Sequence, residues 1–166
     1  MTSWLPAYIG LGSNLDDPAG QVRHAVTALR AAPWAHALQV SRLYGSTPLG
    51  GRTQPDYCNA VVAFLTQLAG AELLGQLREF ESRLGREPSR ERWASRRIDL
   101  DLLSLGDQRI ATPELTVPHA GIVQRNFVLY PLAELAPELW LPGMGRVATL
   151  ARGLSQEGLW VLGTAE

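Results

Sequence analysis

One segment, residues 96–103 (RRIDLDLL), restricts the possible folds more than any other part of the chain. Its apolar and acidic residues alternate, which predicts a β-strand that buries its apolar side and presents Asp99 and Asp101 on the other side. Residues two apart on a strand are separated by about 6–7 Å. Two carboxylates at that spacing can converge on one hard cation, or on a pair of cations about 3.5–4 Å apart. The alternative is a purely electrostatic surface role, in which Arg96 and Arg97 supply the counter-charge.

Length, charge and cysteine content restrict the class of protein. The 166 residues, 46% of them hydrophobic, predict one domain over residues 1–166 with a sizeable core. A net charge of −1 argues against a nucleic-acid or membrane-surface partner, and no apolar run reaches the roughly 18 residues of a membrane span. The single cysteine, Cys58, fits a reducing compartment and is expected to be a small buried residue rather than a nucleophile. We therefore expect a cytoplasmic protein. A monomer is the expected oligomeric state, although none of these features determines it.

Arginine supplies every basic side chain of this protein, since all 15 basic residues are arginine and the sequence contains no lysine. This excludes a P-loop lysine, a Schiff-base lysine and a lysine general base. Six of the 15 arginines lie in residues 83–97, the window that ends just before the two aspartates. Any anion chemistry must therefore use arginine, backbone N–H groups or a metal ion.

The order of predicted elements indicates an α+β fold. Hydrophobic periodicity and turn residues predict strands at 6–11, 38–44, 57–65, 96–103, 115–117 and 159–162. They also predict a first helix that Asp16 or Asp17 caps, with Pro18 in its first turn, and further helices at 71–84, 122–135 and 147–154. This order matches a ferredoxin-like split βαβ sheet with helices packed on its faces. Residues 45–55 and 85–95 are predicted to be two long mobile loops that could act as lids.

Several motifs leave alternatives open. The run from Gly10 to Asn14 lacks the third glycine of a dinucleotide fingerprint, so it indicates a strand-to-helix turn, with an amide at residue 14 near the sheet end. In the second loop, Trp93 either anchors the loop by burial or stacks on a ring. His119 is a phosphate donor, a proton shuttle or a packed structural residue, and no second histidine or cysteine lies at metal-ligand spacing.

The combination of an acidic pair and an arginine-bearing loop favours phosphoryl transfer from a metal-bound nucleotide, because in that chemistry the protein mainly positions substrates and offsets charge. Three other classes of protein share part of this combination. They are a glycosyltransferase with an Asp-x-Asp pair, a non-catalytic nucleotide-binding module, and a nucleic-acid-binding ferredoxin-like domain. The near-neutral charge argues against the last of these.

Five motifs, in order along the chain, resemble those of 6-hydroxymethyl-7,8-dihydropterin pyrophosphokinase. They are YIGLGSNL (8–15), QPDYCNA (54–60), ERW (91–93), RRIDLD (96–101) and LTVPH (115–119). The resemblance runs from Tyr8 to about Pro137. It implies a ferredoxin-like enzyme of folate biosynthesis that uses ATP and two magnesium ions. It also implies transfer of pyrophosphate to the hydroxymethyl group of the pterin, with release of AMP. The alternative of a non-catalytic module would then include one that binds the pterin and releases no AMP.

The resemblance also implies roles for individual residues. Asp99 and Asp101 resemble the magnesium ligands, and Arg86 and Arg96 resemble catalytic arginines of a mobile loop. The pterin site would comprise Asn14, Thr47, Pro48, Leu49, Gly50, Tyr57, Asn59, Trp93 and Phe127. Within it, Tyr57 and Phe127 would stack on the ring and Asn59 would match its donor–acceptor edge. The ATP site would comprise Glu81, Arg92, Thr116, His119 and Arg125.

Overall fold

The structure is a computed structural model, and it describes residues 2–51, 53–85 and 98–166. Within these ranges the strands are β1 (Leu5–Ser13), β2 (His36–Val40), β3 (Leu43–Ser46), β4 (Tyr57–Thr66), β5 (Asp99–Leu105), β6 (Ile110–Ala111), β7 (Thr116–Val117), β8 (Trp140–Leu141), β9 (Gly145–Arg146) and β10 (Leu159–Gly163). The helices are α1 (Pro18–Arg30), α2 (Gly70–Arg83), α3 (Asn126–Leu135) and α4 (Val147–Arg152).

The central sheet has the strand order β10-β3-β4-β1-β5, and β2 also pairs with β4. Every pairing in it is antiparallel. The strand β4 lies between β1 and β3, which are connected through α1, so the unit is a split βαβ. The predicted ferredoxin-like α+β fold is confirmed. Among the described residues, no helix has the length and apolar character needed to cross a membrane.

Two apolar cores lie on opposite faces of the sheet. The first packs α1 and α2 against the sheet, and it contains Ile98, Leu100 and Leu102, whose side chains are 0%, 4% and 3% exposed. The second packs α3 and α4 against the other face around Val61 and Leu103. The alternation predicted for the acidic segment is therefore confirmed. Since strand side chains alternate, Asp99 and Asp101 lie on the face of the second core.

Cys58 lies in the first core and is buried. Burial raises the pKa of its thiol to about 11, because the apolar surroundings disfavour the thiolate. The expectation of a small buried residue is confirmed.

The start of α1 follows the local sequence rules. Asp17 is the N-cap and its carboxylate accepts a hydrogen bond from Gly20 N at 3.2 Å, with Pro18 in the first turn. This is the arrangement predicted from the sequence, and it satisfies one of the free N–H groups at the helix N-terminus.

Several boundaries differ from the prediction, and the differences at three of them have a clear structural reason. The strand predicted at 38–44 is divided, because the Ser41 hydroxyl accepts a hydrogen bond from Val61 N (3.0 Å) in place of a backbone carbonyl. The helix predicted at 122–135 is also divided, because Arg125 is extended (φ −117°, ψ 102°) between a 3₁₀ turn and α3. The first loop begins at Thr47, since Gly45 and Ser46 belong to β3. Of the second predicted loop, residues 86–95 lie outside the described residues.

A polar cluster fixes α3 to the sheet. Glu134 of α3 accepts hydrogen bonds from Arg42 N (3.0 Å), from Arg42 Nε (2.8 Å) and from the Tyr44 hydroxyl. Burial alone would raise the pKa of Glu134, but the bonds from Tyr44 and Arg42 outweigh it and lower the pKa. Burial, followed by the bond to Glu134, raises the pKa of Tyr44 to about 12.

We expect Glu134 to make stability depend on pH in the acid range. The folded pKa lies below the ordinary value of 4.5, so the unfolded chain binds the proton first as the pH falls. The stabilisation is complete above that value and is lost as the pH falls through the folded pKa. In urea titrations between pH 3 and 7, Glu134→Gln should flatten the acid arm of the profile relative to Asp107→Asn, an exposed carboxylate. Equal acid slopes in the two variants would contradict this role.

Candidate functional site

The ends of three adjacent strands bring the predicted site residues together. Gly12 of β1 pairs with Asn59 of β4 on one side and with Asp99 of β5 on the other. Two residues earlier on β1, Gly10 pairs with Val61 of β4 and with Asp101 of β5. Directly paired residues of antiparallel strands point to the same face. The amide and both carboxylates therefore rise from one face of the sheet, on either side of a central strand that has glycine at both positions.

The first cavity lies over this floor and has a volume of about 580 Å³. The structure places in its lining the predicted residues Thr47, Pro48, Leu49, Gly50, Tyr57, Asn59, Asp99, Asp101, Arg125 and Phe127. Tyr57 is the first residue of β4 and Phe127 is the second residue of α3. The two aromatic rings thus come from the sheet and from the helix that covers it, an arrangement that suits a flat ligand.

Asn59 is held in one orientation at the bottom of the first cavity. It is 4% exposed, and its Nδ2 donates to Ser46 Oγ (2.8 Å) and to Tyr44 O (3.4 Å). A carbonyl oxygen can only accept, so these contacts fix which end of the amide carries the hydrogens. A Cβ at Gly12 would lie 3.3 Å from Asn59 Oδ1. Glycine at that position therefore leaves room beside the amide oxygen.

The second cavity has a volume of about 590 Å³ and lies on the α2 side of the acidic pair. The predicted residues in its lining are Glu81, Thr116, His119 and Arg125, together with Asp99 and Asp101. Both cavities therefore include Asp99, Asp101 and Arg125. Two ligands bound in the two cavities would meet at these three charged side chains.

His119 is fixed in the second cavity as a hydrogen-bond donor. Its Nδ1 accepts a hydrogen bond from Gly121 N (3.0 Å), and its own backbone N donates to Leu103 O (2.8 Å). Burial lowers the pKa of His119, and Arg125 adds to this effect against the opposing charge of Asp101. The ring is therefore neutral near pH 7, and its proton lies on Nε2 because Nδ1 acts as an acceptor.

Glu81 holds the strand that carries the two aspartates. It is 5% exposed, and its Oε2 accepts a hydrogen bond from Leu100 N (3.1 Å). Because β5 is at the edge of the sheet, this N–H has no neighbouring strand to which it can donate. The Glu81 carboxylate takes that place, at the residue between Asp99 and Asp101.

We expect Glu81→Ala to reduce the free energy of unfolding by about 1–3 kcal/mol, the cost of leaving a buried donor without a partner. Glu81→Gln keeps an acceptor and should lose less. Urea denaturation measures both, and Glu79→Ala serves as the control, since Glu79 is 60% exposed on the same helix. A Glu81→Ala variant as stable as the Glu79→Ala control would rule out this role.

The two aspartates fit a magnesium site that is completed by a substrate. Asp99 is half-buried and Asp101 is exposed, so both carboxylates are accessible. Within the described ranges there is no group of three or more potential metal-ligating side chains. Two carboxylates, with the remaining ligands from water and phosphate, are the usual magnesium donor set in nucleotide-dependent enzymes.

Of the predicted residues that the structure describes, Asn14 alone lines neither cavity. Asn14 is 1% exposed and its Nδ2 donates to Pro55 O (3.3 Å) and to Gln54 Oε1 (3.5 Å), so it supports the segment that precedes Tyr57. The predicted residues Arg86, Arg92, Trp93 and Arg96 lie outside the described residues.

The sequence prediction missed the contributions of Ser46 and of the paired glycines. The glycines could have been predicted, because residues 10 and 12 lie on the same face of a predicted strand, and glycine inside a strand often marks close approach of a ligand. No sequence pattern predicts the role of Ser46, since its contact with Asn59 depends on the register between β3 and β4.

Comparison with known proteins gives a consistent result. The family model for 7,8-dihydro-6-hydroxymethylpterin-pyrophosphokinase matches residues 8–137. Two proteins named 2-amino-4-hydroxy-6-hydroxymethyldihydropteridine pyrophosphokinase are similar over most of their length. The one from Pseudomonas aeruginosa is 42% identical over 92% of this chain and 93% of its own. The one from Haemophilus influenzae is 40% identical over 89% of this chain and 92% of its own.

Solved structures show the same fold. The Plasmodium falciparum HPPK-DHPS structure with pterin and p-hydrobenzoate aligns with a TM-score of 0.70 at 13% identity. The alignment covers 92% of this chain and 42% of that one, so the chain spans less than half the length of that protein. A second structure of the same enzyme, wild type with pteroate, aligns with a TM-score of 0.72 over 92% of this chain and 43% of that one.

Proposed function

We infer the reaction from one premise: this chain belongs to the 7,8-dihydro-6-hydroxymethylpterin-pyrophosphokinase family. It is an enzyme, a transferase that acts as a pyrophosphokinase on 6-hydroxymethyl-7,8-dihydropterin in folate biosynthesis. One observation supports an active site in this part of the structure: two cavities share Asp99 and Asp101 in their linings.

We propose that the pterin binds in the first cavity and ATP in the second. The first cavity offers two aromatic side chains for a flat ring and the oriented amide of Asn59 for its polar edge. The second offers hydrogen-bond donors to phosphate from His119 Nε2 and from the guanidinium of Arg125. Because Arg125 lines both cavities, its guanidinium can contact phosphate groups of a ligand in either one.

Asp99 and Asp101 would hold the two magnesium ions that the family resemblance implies, with ATP phosphate oxygens as further ligands. Bound there, the ions would offset phosphate charge and orient the leaving group. Glu81 contributes by fixing the backbone between these two carboxylates. Its role in the ATP site is then to position the metal ligands as well as to line the cavity.

We propose that ATP binds first and the pterin second, and that the loops then close to exclude water. The pterin hydroxyl attacks the β-phosphorus in line, its oxygen forms the new bond to phosphorus, and AMP leaves. The hydroxyl proton passes to one of the aspartates or to water. Arg86 and Arg96 are proposed to offset the growing charge, Arg92 to contact ATP and Trp93 to close over the site. All four of these roles rest on the family resemblance.

The test is an assay with protein, ATP, magnesium and 6-hydroxymethyl-7,8-dihydropterin, analysed for AMP and a pterin pyrophosphate. Both products should appear together, and EDTA should stop their formation. Formation of ADP would indicate transfer of a single phosphoryl group and contradict the proposal. ATP binding without AMP release would indicate a non-catalytic module. A thermal shift with a sugar nucleotide but none with ATP would favour a glycosyltransferase.

We also propose that residues 1–166 form a single catalytic domain that acts as a cytoplasmic monomer without nucleic-acid or membrane partners. Both cores pack on one sheet, which supports a single unit. The net charge of −1 and the single buried cysteine support the rest. Light scattering on the purified protein should give a mass near 18.1 kDa; a mass twice as large would contradict the monomer.

A further inference from the structure

Residues 154–160, here called the C-terminal brace, contact both walls of the first cavity. The brace follows α4 and leads into β10. It lies outside residues 8–137, the part of the chain that matches the family model. Its contacts therefore come from a part of the molecule to which the family match assigns no role.

The brace holds the helical wall through Asn126. This residue precedes Phe127, and its Nδ2 donates to Ser155 O (2.9 Å) and to Glu157 O (3.0 Å). Both amide hydrogens are thus directed at the brace. One turn further along α3, the Tyr130 hydroxyl donates to Leu154 O (2.8 Å). The first two turns of the helix that presents Phe127 are thus fixed to the brace at three carbonyl groups.

The brace holds the opposite wall through Gly158. Thr47, the first residue of the cavity-lining loop, donates its backbone N–H to Gly158 O at 3.0 Å. Gly158 has a φ of +71°, and a Cβ there would lie 2.5 Å from Thr47 Oγ1. A residue with a Cβ would be strained in this backbone conformation and would have to displace the Thr47 hydroxyl.

The next residues of the brace reach Asn59 through β3. Leu159 pairs with Ser46, whose hydroxyl accepts from Asn59 Nδ2. Trp160 pairs with Gly45 and packs on it so closely that a Cβ there would lie 2.3 Å from Trp160 Cε2. The brace therefore contacts the cavity-lining loop at Thr47, the strand β3 at Ser46, which orients the Asn59 amide, and the start of α3 at Asn126.

We propose that the C-terminal brace sets the width of the pterin cavity, and that Asn126 is a positioning residue for the pterin. This inference rests on the proposed placement of the pterin in the first cavity. When the cavity is already held at the width that the ligand requires, its walls lose less conformational entropy on binding. The brace therefore raises the affinity for the pterin without contacting it. The second cavity is built mainly from α2, β5 and residues 114–120. Arg125, which both cavities share, has its guanidinium close to Gly121.

The first test is Asn126→Asp, which keeps the side-chain shape but removes both donors and puts a carboxylate against two carbonyl groups. The Kd for the pterin, measured by calorimetry in the presence of a non-hydrolysable ATP analogue, should rise about tenfold. The Kd for the analogue alone should change by less than about twofold. The matched control is Gln67→Glu, because Gln67 Nε2 donates to Thr2 O (3.1 Å) beyond the far end of β4. It makes the same chemical change away from the cavity.

The second test is Gly158→Ala, which should also weaken the pterin and spare the ATP analogue. Its control is Gly163→Ala, since Gly163 has a φ of +144° but no atom within 4 Å of the new Cβ. Thermal unfolding of all four variants separates a change of cavity width from a loss of folding.

Each outcome decides the matter. Weaker pterin binding in both test variants and in neither control supports the brace. Unchanged pterin binding in the test variants, or equal weakening of pterin and ATP analogue, overturns the inference and leaves the proposed function standing. A wild-type protein that does not bind the pterin at all overturns the proposed function, and this inference with it.

Discussion

Asp101→Ala should lower the rate of AMP formation by roughly a thousandfold, the scale expected when a group that offsets transition-state charge is removed. Asp101 lines both cavities and is exposed on β5, so no other described carboxylate except Asp99 is placed to replace it between the two ligands. Single-turnover measurements at saturating ATP and pterin would show whether the loss lies in the chemical step. Calorimetry with and without magnesium would show whether the metal-dependent part of ATP binding is lost as well.

Two variants control for size and for general loss of charge. Asp101→Asn keeps the volume and removes the charge, and it should be impaired nearly as much as the alanine variant. Asp107→Ala removes an exposed carboxylate just beyond the other end of β5 and should leave turnover unchanged. Turnover close to wild type in Asp101→Asn would eliminate the proposed metal-binding role.

Asn59→Asp should weaken pterin binding by at least about a hundredfold and leave ATP binding intact. The change removes the donor to Tyr44 O and to Ser46 Oγ. It also places a negative charge beside a carbonyl oxygen in a site that is 4% exposed. Sites built to hydrogen-bond a polar edge discriminate strongly once the pattern of donors and acceptors is broken. Equilibrium titration with the pterin, at fixed ATP analogue, measures the effect.

Ser46→Ala provides a graded comparison for this prediction. It removes one of the two contacts that orient the amide and leaves Tyr44 O in place, so the loss of affinity should be smaller than in Asn59→Asp. If Asn59→Asp folds normally and binds the pterin as well as wild type does, the amide has no part in recognition.

Local patterns in the sequence predicted the parts of the fold that depend on neighbours along the chain. The period of two around Asp99 and the Asp17–Pro18 start of α1 are examples, and both are present as expected. The division of the second strand at Ser41 was missed, because it depends on a bond to Val61 twenty residues away. The extended Arg125 was missed because the apolar spacing on either side of it is helical.

For the site, residue types were easier to predict than relationships. The strand pattern supplied the acidic pair and the resemblance supplied the aromatic residues, but only strand register shows that Asp99 and Asp101 lie between two cavities. The role of Glu81 in holding β5 could have been predicted from the sequence. It lies four residues after Leu77 on the apolar face of α2, and a carboxylate on a buried stripe requires a partner.

The two cores have a consequence for the order in which the molecule is completed. Apart from Ala165, every buried residue of the first core comes from residues 7–117, whereas the second core needs residues 122–151. A chain emerging from the ribosome can therefore bury α1 and α2 and bring Asp99 and Asp101 into register before α3 exists. Phe127 and the brace follow later in the chain. The proposed ATP cavity can therefore be largely formed before the proposed pterin cavity gains its helical wall.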